Sequence, residues 1–181
     1  MLLAGALPIL EHLAVEIARL TGLFFLEFGE MAEIKEKMQV LLAPILDAHA
    51  AFLIDATIRN ERGGKLVQAF IDTDSGITIE ECAEISRELA HELDRENLIQ
   101  GSYRLEISSP GIDKPLKMLR QYKKNIGRRF KVVHQTIDAK ATLVGKLEGV
   151  GEANLTFQVD SGDMVTLEFT KIIESKEELP W

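Results

Sequence analysis

The first part of the chain carries hydrophobic residues at helical and then at strand-like spacing. Over residues 33–49 apolar side chains recur every three or four positions, which predicts a helix with a kink or break at Pro44. Phe52, Ile54, Ala56 and Ile58 alternate with more polar residues and predict a strand. A turn over residues 60–64 and a second strand over 66–71 complete a predicted β-hairpin.

A second helix is predicted to begin at a capping box. Thr78 lies three residues before Glu81, so that each side chain can bond to a backbone N–H group of the first turn. The helix is expected to end near Asn97, and residues 103–107 alternate as a further strand. The apolar stripe of this helix consists of Cys82, Ile85, Leu89 and Leu93. Helix, hairpin, helix and strand over residues 31–107 predict a small α+β sandwich of KH-like type, with its helices on one face of the sheet.

Residues 108–116 predict a stiff linker. Pro110 and Gly111 suit a type II turn, and Pro115 prevents a helix or an inner strand from continuing. Asp113 is expected to bond to the backbone in an Asx-type turn ahead of Pro115. The linker residues are Ser108, Ser109, Pro110, Gly111, Asp113 and Pro115.

Residues 117–181 contain short strand-like segments separated by turn residues, after one helical turn over 116–122. A tight turn is predicted at 160–163, and residues 177–181 are predicted to form a tail; docking of Trp181 on the barrel is the alternative. The strand segments are 128–134, 141–149, 155–159 and 164–169, with 172–173 as a last piece. This spacing predicts a small closed β-barrel of SH3 or Sm type.

The first thirty residues are apolar but are interrupted by Glu11, Glu16 and Arg19, which is not typical of a signal peptide or a membrane span. Two interpretations remain for this extension. It is an additional amphipathic helix, or it lies upstream of a true start at Met31, and we favour the second.

The charge of the chain is distributed unevenly. The net charge is −8, which argues against general coating of nucleic acid or membrane. Residues 108–130 nevertheless carry seven of the 21 cations against Asp113 alone, while every other part of the chain is net negative. These cations are Lys114, Lys117, Arg120, Lys123, Lys124, Arg128 and Arg129. We predict that they contact RNA phosphates; the alternative is a solvated surface that improves solubility.

No catalytic constellation is apparent. The single cysteine, Cys82, excludes an internal disulfide and is expected to be a core residue, although a nucleophilic thiol is the alternative. Ser108 and Ser109 do not lie in a nucleophile elbow. The histidines lack the spacing of zinc ligands, and the glycines do not form a nucleotide-binding loop. We therefore expect neither enzymatic activity nor a cofactor or metal.

Three segments resemble one known family. Residues 108–116, SSPGIDKPL, closely resemble the interdomain linker of the bacterial ribosome maturation factor RimP family. The segments at 76–89, GITIEECAEISREL, and at 126–132, IGRRFKV, are similar to the same family in the expected order. Ile112 and Lys114 stand where the family often has leucine and arginine. The resemblance covers roughly residues 31–181 and leaves the N-terminal extension unexplained.

The resemblance implies a non-enzymatic, cytoplasmic and monomeric factor. It would bind the small ribosomal subunit during assembly, contacting ribosomal RNA and a ribosomal protein near the decoding region. It also implies that Gly76, Ile77 and Thr78 form the entry to the second helix. The residues alone leave another interpretation open, an Sm-like RNA-binding or translation-regulating module that assembles as a ring and binds free single-stranded RNA.

Overall fold

The computed structural model describes residues 29–111 and 114–178. The predictions for the N-terminal apolar stripe, for Ile112 and Asp113, and for Trp181 fall outside these residues. Within them, no helix is long and apolar enough to cross a membrane.

The N-terminal module contains two helices and three strands in the predicted order. Its elements are α1 (residues 29–48), β1 (Ala51–Glu61), β2 (Gly64–Thr73), α2 (Ile79–Arg95) and β3 (Tyr103–Ser108). The predicted break at Pro44 is wrong, because α1 continues to residue 48. Pro44 lies on the exposed side of the helix, where its ring does not disturb the core.

The strands of this module form one mixed sheet in the order β1-β2-β3. β1 and β2 are an antiparallel hairpin, and β3 returns parallel to β2 after the α2 crossover. Alternate side chains of the sheet pack with both helices in one hydrophobic core. The core includes Met38, Leu42, Val67, Ile71, Ile85 and Leu89. The α+β class is therefore confirmed.

A β-bulge in β1 changes which side chains face the helices. The pairing register shifts between Leu53 and Asp55. As a consequence Ala51 and Leu53 face the core before the bulge, and Ala56 and Ile58 face it afterwards. The predicted single face of Phe52, Ile54, Ala56 and Ile58 is wrong for its first half. Phe52 is buried, at 8% exposure, outside this core.

The C-terminal module begins with a 3₁₀-helix, Leu119–Asn125, followed by five antiparallel strands. The strands are β4 (Arg129–Gln135), β5 (Lys140–Val150), β6 (Asn154–Val159), β7 (Met164–Glu168) and β8 (Ile172–Glu177). Their order in the sheet is β7-β6-β5-β4-β8. The predicted closed barrel is wrong for the residues described here. The first part of β5 pairs with β4 and the second with β6, and the edge strands β7 and β8 do not pair with each other.

The core of the C-terminal module is built around aromatic side chains. Tyr122 of the 3₁₀-helix, Phe130 and Phe157 are fully buried, and the ring centroids of Tyr122 and Phe130 lie 5.8 Å apart. Tyr122 therefore anchors the 3₁₀-helix to the sheet, so that the other faces of this helix are held in a fixed orientation.

Candidate functional site

The 3₁₀-helix holds several of the predicted site residues at the junction of the two modules. Gln121 is buried, and its side-chain oxygen accepts hydrogen bonds from the backbone N–H groups of Lys117 (2.9 Å) and Met118 (3.0 Å). Asn125, one turn later, donates to the Gln121 carbonyl at 2.8 Å. These bonds fix both ends of the segment from which Lys117, Arg120 and Lys124 project.

Three cations of this segment form ion pairs with aspartates of the N-terminal module. Lys117 Nζ lies 2.5 Å from Asp55 Oδ2. Arg120 binds Asp74 through two hydrogen bonds, Nε to Oδ1 at 2.5 Å and Nη2 to Oδ2 at 3.0 Å. Lys124 Nζ donates to Asp72 Oδ1. We call these three contacts, Lys117–Asp55, Arg120–Asp74 and Lys124–Asp72, the interdomain ion pairs.

Two phenylalanine rings of the N-terminal sheet also face cations. Lys114 Nζ lies 3.6 Å from the centroid of the Phe70 ring, and the Arg120 guanidinium carbon lies 4.3 Å from that of Phe52. These distances are within the range of a cation–π interaction. Because of the bulge in β1, Phe52 is available on this side of the sheet. Arg120 thus contacts a ring and a carboxylate together.

The three carboxylates differ in their surroundings. Asp72 has a side chain only 5% exposed, and it also accepts a hydrogen bond from the backbone N–H of Thr73. The pKa of Asp55 is lowered chiefly by its hydrogen bond from Lys117, and that of Asp74 by its hydrogen bonds from Arg120. Both Asp55 and Asp74 are therefore ionised at neutral pH.

The remaining predicted site residues lie within the C-terminal module. Arg128 binds Glu177 at 2.9 and 3.0 Å, and Arg129 binds Asp160 at 2.7 and 2.8 Å as well as Glu178 at 2.8 Å. Lys123 is exposed, and no hydrogen bond or ion pair of its own is found in the part of the chain that the structure describes. The structure thus brings Lys114, Lys117, Arg120 and Lys124 together at the junction and directs Arg128 and Arg129 to other partners.

The junction is not tightly packed. A cleft of about 310 Å³ with both polar and apolar walls lies between the modules and is lined by residues of both. Its lining includes Asp72, Gly76, Ser109, Lys114, Lys124 and Arg128. Each module has its own hydrophobic core, and these two cores share no residue. Charged contacts therefore contribute most of the described interactions across the junction.

Cys82 lies in the core of the N-terminal module, as expected. Burial raises the pKa of its thiol, and the hydrogen bond from the Ser109 backbone N–H only partly opposes this effect. The thiol is therefore protonated at neutral pH, which is the less reactive form. Among the residues described, no group of histidine, cysteine and carboxylate side chains has the arrangement of a metal site.

Residues 41–113 match the family model of the RimP N-terminal domain. This chain carries a RimP N-terminal domain. The resemblance found in the sequence is thereby confirmed for the N-terminal domain. The matched range covers most of the N-terminal module and ends within the linker, so that it includes all three carboxylates of the interdomain ion pairs.

The pattern of the sequence does not reveal which side chains of the N-terminal module contact the cations. These are Phe52, Asp55, Phe70, Asp72 and Asp74. One signal was present: Asp72 and Asp74 directly follow the apolar end of a buried strand, where carboxylates need partners. The partners themselves lie about fifty residues away in sequence, at a distance that only the tertiary structure reveals.

Proposed function

We propose that this protein binds the small ribosomal subunit during its assembly and promotes its maturation. The RimP N-terminal domain supports a role as a ribosome maturation factor. The observation that carries the RNA contact is the placement of Arg120, Lys123 and Lys124 on one short 3₁₀-helix, with Lys117 held just before it by the Gln121 side chain. Cations held in fixed positions bind phosphate oxygens with little loss of conformational entropy.

The proposed contact with ribosomal RNA includes the seven predicted cations in two groups. Lys114, Lys117, Arg120, Lys123 and Lys124 form the principal surface, and Arg128 and Arg129 extend it along the C-terminal sheet. The acidic N-terminal module would face a basic ribosomal protein near the decoding region, because complementary potentials favour correct encounter. We further propose that the factor is non-enzymatic, monomeric and cytoplasmic, and that it needs no cofactor.

We also propose a fold type for each module. The N-terminal α+β sandwich is proposed to be KH-like, and the C-terminal module to be an open sheet of SH3 or Sm type. The stiff linker, Ser108, Ser109, Pro110, Gly111, Asp113 and Pro115, would set the angle at which both modules meet the subunit.

The test is co-sedimentation with purified small ribosomal subunits. A variant in which Lys117, Arg120, Lys123 and Lys124 are each replaced by Gln should lose most of its binding. With about four phosphate contacts, the wild-type affinity should fall with a log–log salt slope of roughly −3 to −4. A matched control replaces Lys131, Lys140, Lys171 and Lys176 with Gln, which removes the same charge from exposed positions of the C-terminal module and should bind nearly as the wild type does.

The same experiment distinguishes a ribosome maturation factor from an Sm-like RNA-binding module. A ribosome maturation factor should sediment with free small subunits and not with large subunits or translating ribosomes. An Sm-like module would form a ring in solution and bind free single-stranded RNA regardless of subunits. Binding of the four-Gln variant equal to that of the wild type would contradict the proposed RNA surface.

A further inference from the structure

We infer that Asp55, Asp72 and Asp74 occupy the junction cations in place of RNA phosphates, so that RNA binding and separation of the two modules are one exchange reaction. This inference rests on the proposed function, because it takes the same cations as the RNA-binding groups. The N-terminal module would then regulate the RNA surface of the C-terminal module by covering it.

The geometry of the interdomain ion pairs is that of a phosphate contact. Arg120 holds both oxygens of Asp74 through two of its N–H groups, as guanidinium groups hold the oxygens of a phosphate. Lys117 Nζ and Lys124 Nζ each donate to one carboxylate oxygen. Each of these three cations is therefore already bound to a carboxylate, an anion that an RNA phosphate can replace.

The carboxylates compete with RNA for these cations, and the N-terminal module covers Lys124 most. Lys117, Arg120 and Lys124 direct their charged ends at the N-terminal module, and the Lys124 side chain is only 23% exposed. A phosphate that replaces Asp72 must enter the space between the modules. Exchange at all three positions therefore requires the N-terminal module to move away from the 3₁₀-helix.

The character of the junction makes this separation feasible. The two hydrophobic cores share no residue, and the rings of Phe52 and Phe70 face the cations Arg120 and Lys114. The cleft of about 310 Å³ already interrupts the packing between the modules. Separation therefore loses chiefly ionic contacts, which RNA phosphates replace, and it exposes little of either core.

The freed carboxylates give the exchange a second consequence. On separation, the buried Asp72 loses its ion pair with Lys124. Its carboxylate then becomes hydrated, as do those of Asp55 and Asp74. The N-terminal module then presents three additional uncompensated negative charges. A basic ribosomal protein would be attracted to this surface more strongly once RNA has opened the junction.

The first arm of the test removes the carboxylates. A variant with Asp55→Asn, Asp72→Asn and Asp74→Asn should bind a single-stranded oligouridine and purified small subunits roughly three- to thirtyfold more tightly than the wild type, since each exposed or partly exposed pair contributes little alone but the three act together. The matched control, Asp47→Asn with Asp138→Asn and Glu152→Gln, removes the same charge from exposed positions elsewhere. It should tighten binding much less.

The second arm measures the separation itself. In a Cys82→Ala background, dyes on Glu36→Cys and Ser161→Cys report the distance between the modules by energy transfer. Addition of oligouridine should lower the transfer efficiency of otherwise wild-type protein. The triple aspartate variant should show low efficiency before RNA is added.

The outcomes distinguish this inference from the proposed function. If the four-Gln variant loses binding while the triple aspartate variant binds no more tightly than its control, the inference is overturned and the RNA surface stands. Unchanged energy transfer with RNA bound also overturns it. If the four-Gln variant keeps its binding, the proposed RNA surface fails. Should the triple variant not fold, Asp55→Asn with Asp74→Asn keeps the buried Asp72 and carries the same expectation with a smaller increase.

Discussion

At the scale of single residues, the clearest constraints come from positions where two backbones approach closely. Gly145 of β5 pairs with Val159 of β6, and a Cβ atom placed on it would lie 2.7 Å from the carbonyl oxygen of Gln158. That oxygen belongs to the backbone and cannot rotate away. The close approach of the neighbouring strand therefore explains why this position is glycine.

Gly145→Ala should therefore destabilise the C-terminal module. We expect a loss of about 1–3 kcal/mol in the free energy of unfolding, as is typical when a well-packed site must move to admit an additional methyl group. Chemical denaturation followed by circular dichroism would measure it. Gly149→Ala serves as the control, because its Cβ atom would lie 3.8 Å from the nearest neighbour, Thr156 Cβ, and a comparable loss there would contradict this explanation.

At the scale of elements, local chemistry made α2 highly predictable. The capping box is present: Glu81 N–H donates to Thr78 Oγ1 at 3.1 Å, and the Thr78 N–H donates to the Glu81 carboxylate at 2.7 Å. The predicted stripe of this helix is buried in full. The predictions for β1 and for the C-terminal sheet were wrong because both depend on pairing between strands. The bulge in β1 depends on its register with β2, and sheet closure depends on whether β7 meets β8.

Thr78→Ala should remove one half of the capping box. We expect a loss of about 1 kcal/mol in the free energy of unfolding, since Glu81 N–H would lose its side-chain acceptor. Thr78→Ser keeps the hydroxyl and should retain most of the stability. Equal stability of the alanine and wild-type proteins in urea denaturation would show that the cap contributes nothing.

At the scale of the whole molecule, half of the candidate site could be read from the sequence. The run of cations after the linker is visible as a local change in the sign of the charge. The carboxylates that face it are not, because Asp55, Asp72 and Asp74 are dispersed among other acidic residues of the N-terminal module. Their selection depends on the orientation of the two modules, which is a property of the folded chain.

The interdomain ion pairs predict a response to acid. The pKa of Asp55 is lowered by Lys117, and that of Asp74 by Arg120 with Lys123 and Lys124 nearby. The Lys117–Asp55 and Arg120–Asp74 pairs therefore contribute fully above the ordinary aspartate pKa of about 4 and are lost as the pH falls through the lowered values. Energy transfer between the modules should decrease in that acidic range, and the Asp55→Asn, Asp74→Asn variant should lack most of this decrease.

The short path from β3 to the 3₁₀-helix has a consequence for the choice of anion. β3 ends at Ser108, and the Leu116 N–H is already bonded to the Ser175 carbonyl of the C-terminal sheet. So brief a tether keeps the aspartates at an effective concentration of millimolar order or above around the lysines and arginine. Free phosphate or a mononucleotide displaces one aspartate at a time, and the displaced aspartate rebinds its cation quickly because the linker keeps it nearby. An RNA strand can compete at several positions together, because its phosphates are covalently linked and the binding of one brings the next close to its cation.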